Sequence, residues 1–149
     1  MNTEGFASAT AWVQHHYPGC DVVDAEKGLL LTIIRHPDID GADRKDPLNC
    51  PVSRCGKRQE GAVEAVVIRS VAILVYPKDG IAVRYSLHGR ERQMVRDFDL
   101  AGTMPEGEFW LAPIYKKGET GAVGNSRGGG RRKGQVKIVD GVRNWIRAA

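Results

Sequence analysis

Long hydrophobic runs are missing from this sequence. Its most apolar stretch, Val63–Tyr76, is interrupted by Glu64, Arg69 and Ser70, whereas a membrane helix needs roughly 18 consecutive apolar residues. A secretory signal begins with a basic stretch that is followed by an apolar one. The first twenty residues of the chain do not show this pattern. We therefore expect a protein of the cytoplasm that has no membrane partner.

Cysteine is also scarce. Cys20, Cys50 and Cys55 are an odd number of thiols, and without a secretory signal we expect them to be reduced rather than paired in disulfides. Structural zinc sites usually combine two close pairs of ligands, whereas only Cys50 and Cys55 form a close pair here. We expect these side chains to pack in the core, with no metal and no cofactor. The alternative is a zinc site that draws on the histidines of the same half, His15, His16 and His36.

The usual sequence patterns of catalytic sites are incomplete or missing. The segment Gly124–Gly128 is not followed by the Gly-Lys-Ser/Thr of a phosphate-binding loop. Ser53 and Ser126 lack the flanking glycines of a nucleophile elbow. The sequence therefore favours a protein that is not an enzyme.

Residues 38–50 show two patterns that suggest chemistry and that have simpler interpretations. Four aspartates follow part of the spacing of a calcium loop, but Asn49 stands where that loop needs a glutamate, so we expect caps and turns. These aspartates are Asp38, Asp40, Asp43 and Asp46. Cys50 lies near a predicted helix N-terminus, where the pKa of a thiol can be lowered. The histidines that a cysteine hydrolase would need are remote from it in sequence.

The overall composition is that of an ordinary soluble globular protein. Hydrophobic residues make up 42% of the 149 residues and charged residues 27%, which excludes collagen-like, coiled-coil and wholly disordered chains. This length favours one domain with a tail.

The first third of the chain predicts a helix and two strands. Apolar residues at near-helical spacing indicate an amphipathic helix over Thr3–Tyr17, and Pro18 and Gly19 end it. Strands are predicted at Asp21–Val23 and Gly28–Ile34. The second strand is apolar on both faces, so we expect it to be central in its sheet.

A second helix is predicted to begin at Asp46. Asp46 is a good N-cap and Pro47 suits the first helical position. The helix would run to Arg58, with a basic end formed by Arg54, Lys57 and Arg58. These cations suit the negative end of the helix dipole, and contact with phosphate is the alternative.

The middle of the chain gives the clearest secondary-structure pattern. Ala65–Tyr76 and Ile81–Leu87 predict a β-hairpin around a turn at Pro77–Gly80. Gly89–Leu100 predicts an amphipathic helix with a charged outer face, and Glu108–Ile114 a final strand. We therefore predict an α+β fold, a small, mostly antiparallel sheet packed by two or three helices on one face, with a basic glycine-rich C-terminal extension.

Charge divides the chain at residue 115. Residues 1–115, the predicted α+β core, carry 13 basic and 16 acidic residues, a net charge of −3. Residues 116–149 carry nine basic and two acidic residues, a net charge of +7, and we call them the basic arm. The arm is predicted to be glycine-rich at first and to end in a short strand and helix over Gln135–Ala149.

Cations spaced by glycine suit a sequence-independent contact with a polyanion. The candidate nucleic-acid-binding residues are Arg127, Arg131, Arg132, Lys133, Lys137, Arg143 and Arg147. The alternative is a solvated segment, or one that neutralises the acidic core.

The segment Ile39–Lys57 contains a distinctive Asp-Pro-x-Asn-Cys-Pro motif. The matching residues are Ile39, Gly41, Arg44, Asp46, Pro47, Asn49, Cys50, Pro51 and Val52. The segment resembles a family of small, uncharacterised phage and prophage proteins, and the resemblance extends over residues 37–114. Cys55 departs from the small residue usual at its position in that family, which favours packing for this thiol.

The resemblance and the charge division together imply a function. We expect a phage-encoded, non-enzymatic accessory protein in the cytoplasm of an infected bacterial host, whose arm contacts nucleic acid or a nucleoprotein. One alternative is an antagonist of a host system that binds a host protein or a small nucleotide ligand. Its pocket would lie around the Asp46–Arg58 helix and the Arg84–Arg96 region. The other alternative is a structural component of the virion.

Overall fold

The computed structural model describes Thr3 and residues 5–115, so the basic arm lies outside the described residues. The elements in chain order are α1 (Ala9–His16), β1 (Asp21–Asp24), β2 (Leu29–Ile33), α2 (Pro51–Glu60), β3 (Glu64–Ile68), β4 (Val71–Tyr76), β5 (Ile81–Ser86), α3 (Gly89–Ala101) and β6 (Gly107–Leu111). A π-helical turn at Arg35–Ile39 follows β2, and a 3-10 turn at Pro77–Asp79 joins β4 to β5. The predicted α+β class is confirmed.

The strands form two sheets. The larger has the order β1-β5-β4-β3 and is antiparallel except for the parallel pair β1 and β5. The smaller is an antiparallel ribbon of β2 and β6. The prediction of a central β2 was therefore wrong, since β2 pairs with one strand only and Leu30 is 42% exposed.

The long apolar run in the middle of the chain forms two strands rather than one. The run predicted at Ala65–Tyr76 is broken by a turn at Arg69 and Ser70, so that Ile68 pairs with Val71. The predicted hairpin follows it, because Tyr76 pairs with Ile81. Its turn ends on Gly80 at φ +69°, the left-handed conformation that favours glycine.

Both faces of the four-stranded sheet are covered, so the prediction of helices on one face was wrong. Ile73 and Val75 of β4 pack toward α1, in a core with Trp12. The alternate residues Ala72 and Leu74 pack in the other core, which contains the buried side chains of α2, α3 and the ribbon. Successive residues of a strand point to opposite faces, and a strand that is apolar at both needs two covering layers.

Helix α2 begins later than predicted. Its N-cap is Cys50 and its first residue is Pro51. Asp46 instead closes a turn before the helix, where its Oδ1 accepts a hydrogen bond from the Leu48 N–H at 3.0 Å. The helix lies close to the sheet at Gly56, where a Cβ would stand 2.8 Å from Leu74 Cδ2.

The other two helices also differ in detail from their predictions. Helix α1 begins at Ala9 rather than Thr3, because Ser8 Oγ accepts from the Ala11 N–H and caps it. The predicted α3 is present, but Glu91 is not on its solvent face. Glu91 is buried and accepts hydrogen bonds from the Arg90 guanidinium and the Trp110 N–H. Within the described part of the chain, every helix is too short or too polar to cross a membrane.

Candidate functional site

The cations of α2 are bound within the protein. Arg54 Nε donates to the carbonyl oxygen of Pro37 at 3.0 Å, and its Nη1 donates to Asn49 Oδ1 at 2.9 Å. Lys57 Nζ lies 3.3 Å from the Glu64 carboxylate. These contacts hold the segment that precedes the helix, which gives the cations a structural role beyond the helix dipole.

The third cation of α2 pairs with a fully buried carboxylate. Arg58 donates to both oxygens of Asp38, at 2.9 and 2.8 Å, and Asp38 Oδ2 also accepts from the Ile34 N–H at 3.0 Å. Burial by itself raises the pKa of Asp38, but these hydrogen bonds outweigh burial and hold the pKa below its usual value. Asp38 therefore stays ionised in the interior and joins the turn after β2 to α2.

Caps and turns were predicted for all four aspartates of this region, and three of them accept such hydrogen bonds. Besides Asp38 and Asp46, Asp43 accepts a hydrogen bond from Asn49 Nδ2 at 2.8 Å. Asp40 is exposed. Among the described residues, no three or more histidines, cysteines or acidic residues are placed to hold a metal ion.

The three thiols are free and buried. Cys50 Sγ accepts from the Ser53 N–H at 3.4 Å, and burial raises the pKa of Cys50 to about 11. The helix N-terminus does not lower the pKa of Cys50, because loss of hydration outweighs the hydrogen bonds from the backbone. Cys55 Sγ donates to the Thr32 carbonyl oxygen at 3.3 Å, and burial together with Asp38 raises its pKa to about 12.

A surface cleft of about 180 Å³ lies beside the N-terminus of α2. It is bounded by the Lys45–Cys50 segment, by the turn between β3 and β4, and by α3. Its apolar lining is formed by Pro47, Cys50, Val67, Ile68 and Val95. Its charged residues are Lys45, Asp46, Arg69 and Asp99.

Two basic residues of this cleft have an unusual backbone conformation. Lys45 has φ +60° and Arg69 has φ +56°, and they are the two non-glycine residues with positive φ in the described part of the chain. Both are exposed. Neither side chain has a hydrogen bond or ion pair to another described residue. The conformation costs an ordinary residue about 1–2 kcal/mol, so the backbone is held there by its surroundings.

The contacts that hold Lys45 come from α3. Asp99 Oδ1 accepts a hydrogen bond from the Lys45 N–H at 2.9 Å. The neighbouring Arg44 donates to the backbone carbonyl oxygens of Asp99 and Leu100. The loop before α2 is thereby fixed to the last turn of α3, and the cleft lies between them.

The pocket predicted for a host-system antagonist, around the Asp46–Arg58 helix and the Arg84–Arg96 region, corresponds only in part to this cleft. Asp46 lines it, and Val95 and Asp99 of α3 lie near the end of the expected region. Arg84 belongs elsewhere, because it donates to Asp24 at 2.7 Å and to Thr10 at 3.1 Å. Lys45 and Arg69 are not among the predicted site residues, although a basic pair of residues between two aspartates and an Arg-Ser interruption of an apolar run both indicate turns.

The basic residues predicted to bind nucleic acid all lie in the arm. Arg127, Arg131, Arg132, Lys133, Lys137, Arg143 and Arg147 are therefore outside the described residues, and their role stays a prediction. No protein-family model, curated protein or solved structure matches the chain. The resemblance to phage and prophage proteins thus stays a hypothesis that rests on the motif.

Proposed function

We propose that the protein is a non-enzymatic accessory protein of a phage or prophage, whose basic arm binds nucleic acid or a nucleoprotein in the cytoplasm of the infected host. The observation that carries the proposal is the division of charge, with −3 before residue 116 and +7 after it. A polyanion is attracted to the arm and repelled on average by the core.

The contacts within the core favour the arm over α2 as the binding element. Arg54, Lys57 and Arg58 are the densest basic cluster of the described residues along the sequence, and all three donate to internal acceptors. A phosphate that bound there would have to compete with carboxylates and carbonyl oxygens. The cations of the arm are the larger group and are spaced by glycines, which suits successive phosphates.

A charge-matched pair of variants of the full chain tests the proposal. In the arm variant, Arg127, Arg131, Arg132 and Lys133 are replaced by alanine. In the core variant, the same number of charges is removed from exposed cations, Arg35, Lys78, Arg92 and Arg96. Binding of duplex DNA and of RNA is measured by fluorescence anisotropy over a range of salt concentrations.

We expect the arm variant to bind at least about tenfold more weakly than the unchanged chain, because each phosphate contact adds counterion release. Its log–log salt dependence on duplex DNA should be shallower by about 0.9 for each phosphate that the variant no longer neutralises. The core variant should keep both affinity and slope. Equal losses of affinity in the two variants, or absence of binding by the unchanged chain, would refute the proposal.

A second candidate function is favoured by one observation, the cleft at Lys45 and Arg69. This function is the binding of a small ligand by the core.

A further inference from the structure

We propose that the cleft between the Lys45–Cys50 segment, the β3–β4 turn and α3 binds a mononucleotide. In this site the apolar lining contacts the base, while Lys45 and Arg69 hold the phosphate at the rim. The site is on the core and is independent of the basic arm. It therefore goes beyond the function proposed above.

Two basic residues of the cleft have a backbone conformation that favours glycine. Lys45 at φ +60° and Arg69 at φ +56° both stand at the rim of the same cleft. Glycine or asparagine adopts this conformation more readily. Neither basic group is used in a contact with another described residue, so folding does not account for the charge. Backbone strain of this kind is concentrated at ligand sites.

Both of these cations have side chains that bind phosphate. An ammonium group such as that of Lys45 binds phosphate as a point charge. The guanidinium of Arg69 can form two parallel hydrogen bonds to a phosphate. Lys45 and Arg69 line one cleft and their side chains have no partner among the described residues, so they are suited to a single phosphate group.

The volume of the cleft and the polarity of its lining suit a small ring. About 180 Å³ is the space of roughly six water molecules at 30 Å³ each. Such a space accepts one small ring and is below the usual size of a site for larger ligands. The carbon atoms of Pro47, Val67 and Val95 supply an apolar surface for that ring.

The two carboxylates of the cleft each have an oxygen that can accept a hydrogen bond from a ligand. Asp46 and Asp99 each use Oδ1 to accept a backbone N–H, from Leu48 and Lys45 respectively. The Oδ2 atom of each makes no hydrogen bond with another described residue. A carboxylate only accepts hydrogen bonds, so these atoms suit the exocyclic amine of cytosine, a base with a single ring. Uracil has no such amine and should bind more weakly.

Calorimetric titration of the full chain tests the site, with cytidine 5′-monophosphate, uridine 5′-monophosphate and inorganic phosphate as probes. Lys45→Gly and Arg69→Gly each remove a cation and also relieve the left-handed backbone, so their melting temperatures should be unchanged or higher. The matched control is Lys78→Ala, which removes an exposed cation at the other end of β4.

We expect the cytidine nucleotide to bind at least about fivefold more tightly than the uridine nucleotide or phosphate. Each glycine variant should weaken it about tenfold, which corresponds to one charge-assisted hydrogen bond. Lys78→Ala should bind normally. The arm variant described above should also bind normally, so a failure of the nucleic-acid proposal leaves this result unaffected.

Several outcomes would overturn the site. They are no binding of the cytidine nucleotide by the unchanged chain, unchanged binding by both glycine variants, and equal binding of inorganic phosphate. Loss of nucleotide binding in the arm variant alone would place the contact in the arm instead. A 5′-phosphorylated dinucleotide distinguishes the source of the ligand, since tighter binding assigns a strand end and equal binding a free nucleotide.

Discussion

Asp38 is the residue on which the geometry after β2 depends most. Its carboxylate has no exposed surface and accepts hydrogen bonds from Arg58 and from the Ile34 N–H. The guanidinium of Arg58 is about one-third exposed and continues to the Thr32 carbonyl oxygen. One buried charge thus organises the end of a strand, the turn that follows it and the surface of α2.

We expect Asp38→Ala to lower the free energy of unfolding by about 2 kcal/mol, because the Arg58 guanidinium and the Ile34 N–H would both lose their buried acceptor. Urea denaturation at neutral pH measures this change. Asp40→Ala is the matched control, since Asp40 is an exposed carboxylate two residues away, and we expect a change within about 0.5 kcal/mol. Equal changes in the two variants would contradict the role given to Asp38.

The stabilisation by Asp38, measured as the difference in unfolding free energy between the unchanged chain and Asp38→Ala, should depend on pH. The pKa of Asp38 is lower in the folded state than its usual value of 3.8, so its contribution to stability is complete above that value. The contribution is lost as the pH falls through the lowered pKa. The difference in unfolding free energy between the unchanged chain and Asp38→Ala should therefore be constant from neutral pH down to about pH 5 and shrink as the pH falls below 3.8. A constant difference would show that the carboxylate does not stabilise the fold through its charge.

The raised pKa values of Cys50 and Cys55, about 11 and about 12, predict slow thiol chemistry. The thiolate is the reactive form, and both groups are also buried. In a Cys20→Ser background at pH 8, reaction with an aromatic disulfide should be orders of magnitude slower in the folded protein than in urea. Adding Thr103→Cys at an exposed position supplies a control thiol of ordinary reactivity. Rapid reaction of Cys50 in the folded protein would show that the cleft reaches its sulfur.

At the scale of elements, α2 acts as a partner for the free edge of β2. The side-chain amide of Gln59 donates to the Leu30 carbonyl oxygen at 3.0 Å and accepts from the Thr32 N–H at 2.8 Å. These are the bonds that a neighbouring strand would make. An unpaired strand edge invites association with other chains, and this side chain satisfies part of that edge from within.

Replacing Gln59 by alanine should lower the free energy of unfolding by about 1 kcal/mol, because it replaces two hydrogen bonds to the backbone of β2 with hydrogen bonds to water. Amide hydrogen exchange of Thr32, followed by NMR, should become faster. Gln93→Ala is the control, since Gln93 is exposed on α3 and bonds only to Asp97 one turn away. That variant should change stability by less than about 0.5 kcal/mol. Unchanged exchange at Thr32 in Gln59→Ala would refute the role of the amide.

The elements that the sequence predicts well are those specified by neighbouring residues. The β4–β5 hairpin and α3 follow from a turn ending on Gly80 and from local periodicity. The predicted start of α2 was wrong because both Asp46 and Cys50 precede a proline, and the local rule for an N-cap favours aspartate over cysteine. The structure selects Cys50, and Ser53 in the first turn donates to the carbonyl oxygen of Ala65, a contact that depends on the fold.

The cleft could not be predicted as a unit for the same reason. Its walls come from residues 45–50, 67–69 and 95–99, which only the fold brings together. Single residues of it are conspicuous in the sequence, such as Asp46 in the Asp-Pro motif. The positive φ of Lys45 and Arg69 has no sequence pattern of its own, because basic residues are not typical of that conformation.

At the scale of the whole molecule, the described fold and the excess of positive charge lie in different parts of the chain. The described residues form one α+β fold in which about half of the basic residues make contacts within the core, while the excess of positive charge lies beyond residue 115. The net charge of +4 is therefore a poor guide to the surface of the core. The two proposed activities accordingly belong to different parts of the chain and can be removed separately by substitution.

The pairing of the strands also has a consequence for how the chain folds as it is synthesised. Strands β3, β4 and β5 are consecutive neighbours, but β1 pairs with β5 and β2 with β6, so that Leu29 meets Leu111. Closing such long loops carries a larger entropic cost than closing short ones, and non-local pairings slow folding. Strands β3, β4 and β5 are expected to pair first, while the apolar residues of β2 stay unpaired until β6, the last strand of the described residues, has been synthesised.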